Sequence, residues 1–307
     1  MELSFHTLDV FTDRAFGGNP LGVFPDAAHL ETALMQRIAG EMNLSETVFL
    51  GAPETAEGTA RVRIFTPAVE VPFAGHPTVG SAIFIAGALG AEATRSDGHR
   101  ATLVLEENVG PVPVEVRFEG GRPVFARFTT AILPEHRPTP YSAVELAAMV
   151  GLEADDLGPS GLVPEMVSCG LPYHIIPVAS LDAVRGATLE FGLWQRLLGG
   201  SWAHHVYLVC PEAEAEGVDV HVRMFAPGSG VPEDPATGSA AAALGGYLAE
   251  ADGRDEGTLR WTVEQGIEMG RPSLLEVEAD RSAGRTTAVR VGGSAVAVSS
   301  GTMTVPG

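Results

Sequence analysis

Two stretches of this chain, Phe65 to Ala82 and Phe225 to Ala240, are imperfect copies of one another, and such copies constrain the chain to fold as two similar halves. Each runs from a short strand signature (Phe-x-Pro, then Val-Pro) into His76-Pro77-Thr-Val-Gly-Ser-Ala or Asp234-Pro235-Ala-Thr-Gly-Ser-Ala. Pro77 and Pro235 suit the first helical position, where a missing N–H costs nothing, and Asp234 is a good N-cap acceptor before its proline. Both helices are therefore expected to start at the same place. The residues that follow, Ser81 to Leu89 and Ala240 to Leu248, are apolar nearly all the way round, which in a soluble chain predicts a helix enclosed on every side.

The length agrees with duplication, because 307 residues exceed what one core comfortably supports and two domains of ~150 residues are the natural prior. Leu133-Pro-Glu-His-Arg-Pro-Thr-Pro140 reads as the linker between an N-terminal half, 1–132, and a C-terminal half, 133–289. Whether a C-terminal strand near 290–307 returns to the first half is left open. Short alternating segments around the two helices predict antiparallel strands, so the expected class is α+β. Smaller elements are also predicted: strands Leu3 to Phe11 and Leu21 to Phe24 joined by a turn at Gly17-Gly-Asn-Pro, a helix over Ala27 to Met42, a capping box at Ser142-Ala-Val-Glu145, and helical pattern in Leu181 to Leu198.

A formal charge of -20 argues against a nucleic-acid partner, and no local basic cluster offsets it. All nineteen basic residues are arginine, which excludes Schiff-base chemistry on a lysine, an internal pyridoxal aldimine and a P-loop lysine. Cys169 and Cys210 lie far apart in strand-like surroundings and read as reduced core thiols. His204 and His205 are adjacent, so on a strand they point to opposite faces and do not share a metal. The sequence shows no secretory or membrane segment, which leaves the cytoplasm as the default location.

Candidate chemistry gathers at the duplicated stretches. A helix N-terminus offers unpaired N–H groups and partial positive charge, so two of them facing across a cleft would hold a small anionic substrate, most simply a carboxylate. Gly75 and Gly238 would let the backbone approach closely, and Thr78, Thr237 and Ser239 add hydroxyls. His76 and Asp234 occupy matching places and could steer a proton or grip one substrate, though each alone also reads as a turn residue or a cap. Glu46 shares a strand face with Leu44, Val48 and Leu50; if that face is inward, desolvation raises its pKa into the range of an acid/base catalyst, and if not it is an exposed edge residue. Asn19 chiefly serves turn chemistry, with ligand contact the alternative.

Asp9-Val-Phe-Thr, Gly18-Asn-Pro, Asn43-Leu-Ser-Glu-Thr-Val-Phe, Phe73 to Gly80, Asp234 to Ala240 and Glu264-Gln-Gly with Gly270-Arg-Pro-Ser, in that order, resemble the PhzF family of phenazine-biosynthesis-like isomerases across nearly the whole chain. The resemblance implies the diaminopimelate epimerase fold, two similar halves each with a central helix wrapped by antiparallel strands. It also implies a homodimer and a reaction without cofactor or metal. It casts Glu46 as the proton-shuttling glutamate, His76, Asp234 and Ser239 as further active-site groups, and Gly75 and Gly238 as the helix starts that receive the substrate carboxylate. The related epimerases carry a cysteine at each helix start, and this chain has none there, so a single carboxyl returning its proton at another carbon fits better than two-thiol racemisation. The implied substrate resembles trans-2,3-dihydro-3-hydroxyanthranilate. An amino-acid epimerase or racemase, and a binding protein that kept the scaffold, are the alternatives. Nothing in the residues explains Arg271 or the Glu264-Gln-Gly turn beyond strand termination.

Overall fold

A computed structural model describes residues 1–27, 29–93, 99–158 and 161–306, and the chain divides into two compact units, Met1–Thr129 with Gly292–Gly307 and Thr130–Val291. The first unit contains β1 (Glu2–Val10), β2 (Asn19–Phe24), α1 (Thr32–Met42), β3 (Glu46–Gly51), β4 (Ala60–Phe65), β5 (Glu70–Val71), α2 (Gly75–Ala93), β6 (Arg100–Glu107), β7 (Gly110–Glu119), β8 (Arg122–Thr129) and, from the far end of the chain, β18 (Ala295–Thr304). Its ladder runs β18-β1-β2-β3-β4-β6-β7-β8, antiparallel except at β2–β3 and β4–β6, with β5 also on β4.

The second unit contains β9 (Glu135–Pro138), α3 (Ala143–Met149), β10 (Glu165–Ser168), β11 (Pro172–Pro177), α4 (Leu181–Gly186), α5 (Phe191–Leu197), β12 (His205–Cys210), β13 (Val220–Ala226), β14 (Val231–Asp234), α6 (Gly238–Asp252), β15 (Gly257–Gln265), β16 (Ser273–Ser282) and β17 (Arg285–Gly293). Its ladder β9-β10-β11-β12-β13-β15-β16 has its parallel pairs at the corresponding places, β11–β12 and β13–β15, with β14 on β13 as β5 is on β4. The class is α+β, and the duplication in sequence is a duplication in topology.

Each ladder curls around its own apolar helix. α2 touches β1, β2, β3, β6, β7, β8 and β18, and α6 touches β10, β11, β15 and β16. Close approach requires small residues: a Cβ on Gly80 would lie 2.6 Å from Leu21 Cδ2 and 2.8 Å from Val10 Cγ2. The outer faces are covered as well. In the first unit α1 sends Met35, Ile38 and Ala39 onto Phe24, Phe49 and Phe65, with Phe24 and Phe49 stacked at 5.2 Å and Phe65 edge-on to Phe49 at 5.3 Å. In the second, α3, α4 and α5 enclose Leu146, Val184, Trp194 and Leu198 against Ile176, Val206 and Leu208.

This two-sided covering corrects several expectations. β3 does not alternate: Thr47, Val48, Phe49 and Leu50 are all buried, and Glu46 opens the strand, so Leu44 lies outside it. Asn19 is not a turn residue but the first residue of β2, paired with Val10 and fully buried, while Gly18 (φ +62°) makes the turn. The proline-rich 133–140 is no simple tether, because Glu135–Pro138 pairs with β10 as an edge strand, where proline is tolerated. The first helix begins at Thr32 rather than Ala27, and Leu181 to Leu198 splits into α4 and α5. The capping box at Ser142 and Glu145 is present, each side chain bonding the other's backbone N–H.

The two enclosed helices also do not start at matching places. α2 already runs through His76 and Pro77, whose backbone nitrogens lie in the first turn and need no intrahelical acceptor. α6 begins only after Pro235, with Thr237 rather than Asp234 at the N-cap. Side chains have replaced the helical ladder there: Gln265 Nε2 donates to the Asp234 carbonyl at 2.7 Å and Ser273 Oγ to the Pro235 carbonyl at 2.8 Å.

Candidate functional site

In the first unit the parallel register of β2 and β3 sets Leu21 opposite Glu46, which brings Asn19-Pro20 alongside the start of β3. The Glu46 side chain is 19 % exposed and its Oε2 lies 3.5 Å from Nε2 of His76, a residue of the first turn of α2 beside Gly75. The imidazole is buried and hydrogen-bonded to the backbone of Pro20. Proline offers only a carbonyl, so the ring donates. Among the described residues Nε2 has no hydrogen-bond partner, so the donor is Nδ1–H and Nε2 presents its lone pair toward Glu46. Burial holds the ring pKa down to about 3, the Pro20 bond opposing it.

That depression has a checkable consequence. A ring whose folded pKa lies near 3 rather than 6.5 contributes stability that is present above pH 6.5 and lost as the pH falls toward 3. His76→Gln is therefore expected to flatten the acid limb of a Tm-against-pH curve between those values. An unchanged limb would mean that the ring protonates freely.

In the second unit Asp234 ends β14, buried, and its Oδ2 accepts the Thr237 hydroxyl at 2.5 Å. Gln265, fully buried at the end of β15, ties this corner together: its Oε1 accepts Thr237 N–H at 3.2 Å, and its Nε2 reaches Thr237 Oγ1 at 3.1 Å as well as the Asp234 carbonyl. The Tyr207 hydroxyl donates to Gln265 Oε1 at 3.4 Å, and burial, reinforced by Tyr173 and Asp234, pushes that phenol well above its ordinary range, so it stays a neutral donor. Gly238 is buried at the first position of α6, and Ser239 Oγ lies 2.7 Å from the Tyr173 hydroxyl. Gly266, at φ +76°, follows Gln265; a Cβ there would meet the backbone oxygens of Arg271 and Pro235 at 2.6 Å each. The Glu264-Gln-Gly turn thus fastens the start of α6, a role that strand termination does not describe.

Asn19, Glu46, Gly75 and His76 belong to the first unit and Asp234, Gly238 and Ser239 to the second. Sequence reasoning missed Tyr173, Tyr207, Gln265 and Glu107. One signal was available for the last two, since Leu105-Glu-Glu107 and Val263-Glu-Gln265 are a further pair of matching strand ends. Cys169 lies against α6, its Sγ 3.5 Å from the Ala242 carbonyl, and burial pushes its thiol up to about 12, so it is no nucleophile near neutrality. Among the described residues no group of three or more His, Cys, Asp or Glu side chains is arranged to hold a metal ion, and no helix is long and apolar enough to cross a membrane.

A duplicated ladder around an enclosed helix is the fold of the diaminopimelate epimerase-like class. A hydroxyproline epimerase from Agrobacterium vitis shares it at a TM-score of 0.60 over 98 % of this chain and 91 % of that one; at 11 % identity the likeness speaks for the fold alone. Within that class, the sequence profile described as Phenazine biosynthesis-like protein matches residues 8–301, and the chain belongs to that family. It is similar to an uncharacterized isomerase of Mesorhizobium japonicum, mll1393, 42 % identical over 95 % of this chain and 96 % of the relative. It is also similar to the trans-2,3-dihydro-3-hydroxyanthranilate isomerase of Pseudomonas chlororaphis, 38 % identical over 96 % and 97 %. The crystal structure of a Bacillus anthracis phenazine biosynthesis protein of the PhzF family superposes with a TM-score of 0.88 at 27 % identity, covering 99 % of this chain and 100 % of that one. The chain is an isomerase of this family.

Proposed function

We propose that the protein moves a proton within a small carboxylate-bearing metabolite resembling trans-2,3-dihydro-3-hydroxyanthranilate, with Glu46 taking the proton from one ring carbon, C3, and returning it toward C1, and with no cofactor or metal. The observation that carries this reading is the pairing of a partly exposed Glu46 carboxyl with the bare Nε2 of a buried, neutral His76. As a carboxylate, Glu46 faces a lone pair and gains nothing from it. Once it has taken a proton, its O–H can donate to Nε2. A hydrogen bond made only by the protonated form raises the basicity of the group that must take the proton, and it strengthens as the transfer proceeds.

The remaining roles belong to the same proposal. Gly75 and Gly238, at the starts of α2 and α6, receive the substrate carboxylate on backbone N–H groups; Asn19 and Ser239 contact substrate, and Asp234 acts with Glu46 and His76 in the catalytic set. Asp234 is buried and already bonded to Thr237, so it is suited to hold a polar substrate group in place. A homodimer in the cytoplasm completes the reading.

The test uses trans-2,3-dihydro-3-hydroxyanthranilate in deuterated water, followed by chromatography and mass spectrometry. Conversion is expected, with at most one solvent deuteron retained in the isomer, because one carboxyl both removes and returns the hydrogen. Absence of both conversion and exchange would remove this substrate from consideration, and conversion only in the presence of an added metal or cofactor would overturn the cofactor-free chemistry.

A further inference from the structure

We propose that Glu107 is a positioning residue: a neutral carboxylic acid that braces the first turn of α2 as Gln265 braces the start of α6, leaving the positive end of α2 unopposed for the substrate carboxylate. The open end of α2 matters only if the substrate carries the carboxylate proposed above.

The equivalence follows from strand register. In the first unit β4 and β6 run parallel with Ala60 opposite Leu105 and Arg61 opposite Glu106. In the second, β13 and β15 run parallel with Val220 opposite Val263, His221 opposite Glu264 and Val222 opposite Gln265. Glu106 thus corresponds to Glu264, and both do the same work. Glu106 accepts the N–H groups of Glu54 and Thr55 at 2.5 and 2.9 Å, and Glu264 those of Glu214 and Ala215 at 2.6 and 3.1 Å. The next residue points to the other side of the strand, toward the enclosed helix. In the second unit it is Gln265, which cannot ionise. In the first it is Glu107, which can.

The contacts of Glu107 call for the neutral form. The residue is 4 % exposed, with Oε1 2.7 Å from Thr78 Oγ1 and Oε2 buried with no hydrogen-bond partner among the described residues. Thr78 Oγ1 is also 2.8 Å from the Ala74 carbonyl, which can only accept. The hydroxyl has one proton to give. If it goes to Ala74, the bond to Glu107 needs the proton of the carboxyl. A buried carboxylate with one oxygen lacking a donor is costly, whereas a carboxylic acid there is not. Burial accordingly pushes the Glu107 pKa up to about 8, against Arg61 and against the Thr78 bond whenever that hydroxyl turns its proton to Oε1 instead of to Ala74.

Arg61 on β4 is the cation that favours ionisation, and its guanidinium is engaged with the Glu106 carbonyl and Asn108. Glu106 turns to the opposite side of β6, where it accepts the Glu54 and Thr55 N–H groups, and the first turn of α2 brings the Thr78 hydroxyl to Glu107. Were Glu107 ionised, its charge would itself satisfy the helix N-terminus and compete with an incoming anion.

The test compares the full-length wild type with Glu107→Gln between about pH 6 and pH 9.5, measuring Tm without ligand and affinity for 3-hydroxyanthranilate, a stable aromatic carboxylate, by calorimetry. An acid whose folded pKa is raised gives stability that is lost as the pH rises through about 8. The Tm of the wild type should therefore fall relative to that of Glu107→Gln as the pH rises to about 8 and level off above it. Wild-type affinity should drop roughly tenfold toward the alkaline end, the order of effect that one added unit charge has on a nearby anion in a partly desolvated site, while that of Glu107→Gln stays level. Glu107→Ala should bind weakly at every pH, because the brace itself is gone. Binding with the same pH dependence in wild type and Glu107→Gln would overturn the role of Glu107 alone. A Tm difference with no carboxylate binding by either protein would overturn the carboxylate reading and, with it, the role assigned here.

Discussion

Glu46→Gln is expected to lower kcat for isomerisation by about 10³-fold, within the range that a positioned general acid/base contributes, while Tm stays level or rises slightly. The substitution preserves shape, but an amide cannot take a proton from carbon and hand it back. Stability should move the other way. In the wild type a carboxyl oxygen lies 3.5 Å from a nitrogen that carries a lone pair, whereas the glutamine can turn its N–H₂ toward that Nε2 and make a hydrogen bond worth about 1 kcal/mol. Loss of turnover with unchanged or improved folding separates a catalytic role from a structural one. Steady-state kinetics and differential scanning calorimetry on the same preparation supply both readings, and a variant within tenfold of the wild-type kcat would remove Glu46 from the proton path.

How far the sequence could be read depended on the range of the forces involved. The enclosed helices were legible because Ser81 to Leu89 and Ala240 to Leu248 have no polar face to give to water, and the α+β class and the family follow from local patterns of that kind. Alternation failed on β3 because α1 covers the face that a two-layer reading leaves to solvent, so Thr47 and Phe49 are as buried as Val48. The start of α6 read from its local cap signal was misplaced for a similar reason, whereas Gly75 and Gly238, the helix starts that the family resemblance implies, are where α2 and α6 begin. Pro235 and Asp234 look locally like a helix start, yet their carbonyls are claimed by Ser273 and Gln265, more than thirty residues away along the chain. The contact of Glu46 with His76 depends on the register of β2 against β3 and on the first turn of α2, neither of which leaves a trace at Glu46 itself. Glu107 and Gln265 were overlooked on the same ground: their strand ends match in sequence, but only the register shows that both side chains face the start of an enclosed helix.

Gln265→Leu should cost about 3 kcal/mol or more of stability and abolish activity together with the start of α6. The replacement is close in volume, so the loss arises from polar groups rather than a cavity. The Asp234 carbonyl loses a donor at 2.7 Å, Thr237 N–H an acceptor at 3.2 Å and the Tyr207 hydroxyl an acceptor at 3.4 Å. All three lie in residues that are buried or nearly so, where water cannot substitute, and each unsatisfied group costs about 1–3 kcal/mol. Gln265→Glu distinguishes this account from simple crowding. A carboxylate at that place still accepts from Thr237 and Tyr207 but cannot donate to the Asp234 carbonyl, and it sets a second negative charge beside the Asp234 side chain. Protonation restores a donor and removes the repulsion. Gln265→Glu should therefore approach wild-type stability near pH 5 and fall below it by pH 8, whereas Gln265→Leu should be destabilised equally at both. Urea titrations monitored by circular dichroism at the two pH values decide the matter: parallel losses in both variants would show that volume, and not the hydrogen-bond set of Gln265, holds the start of α6.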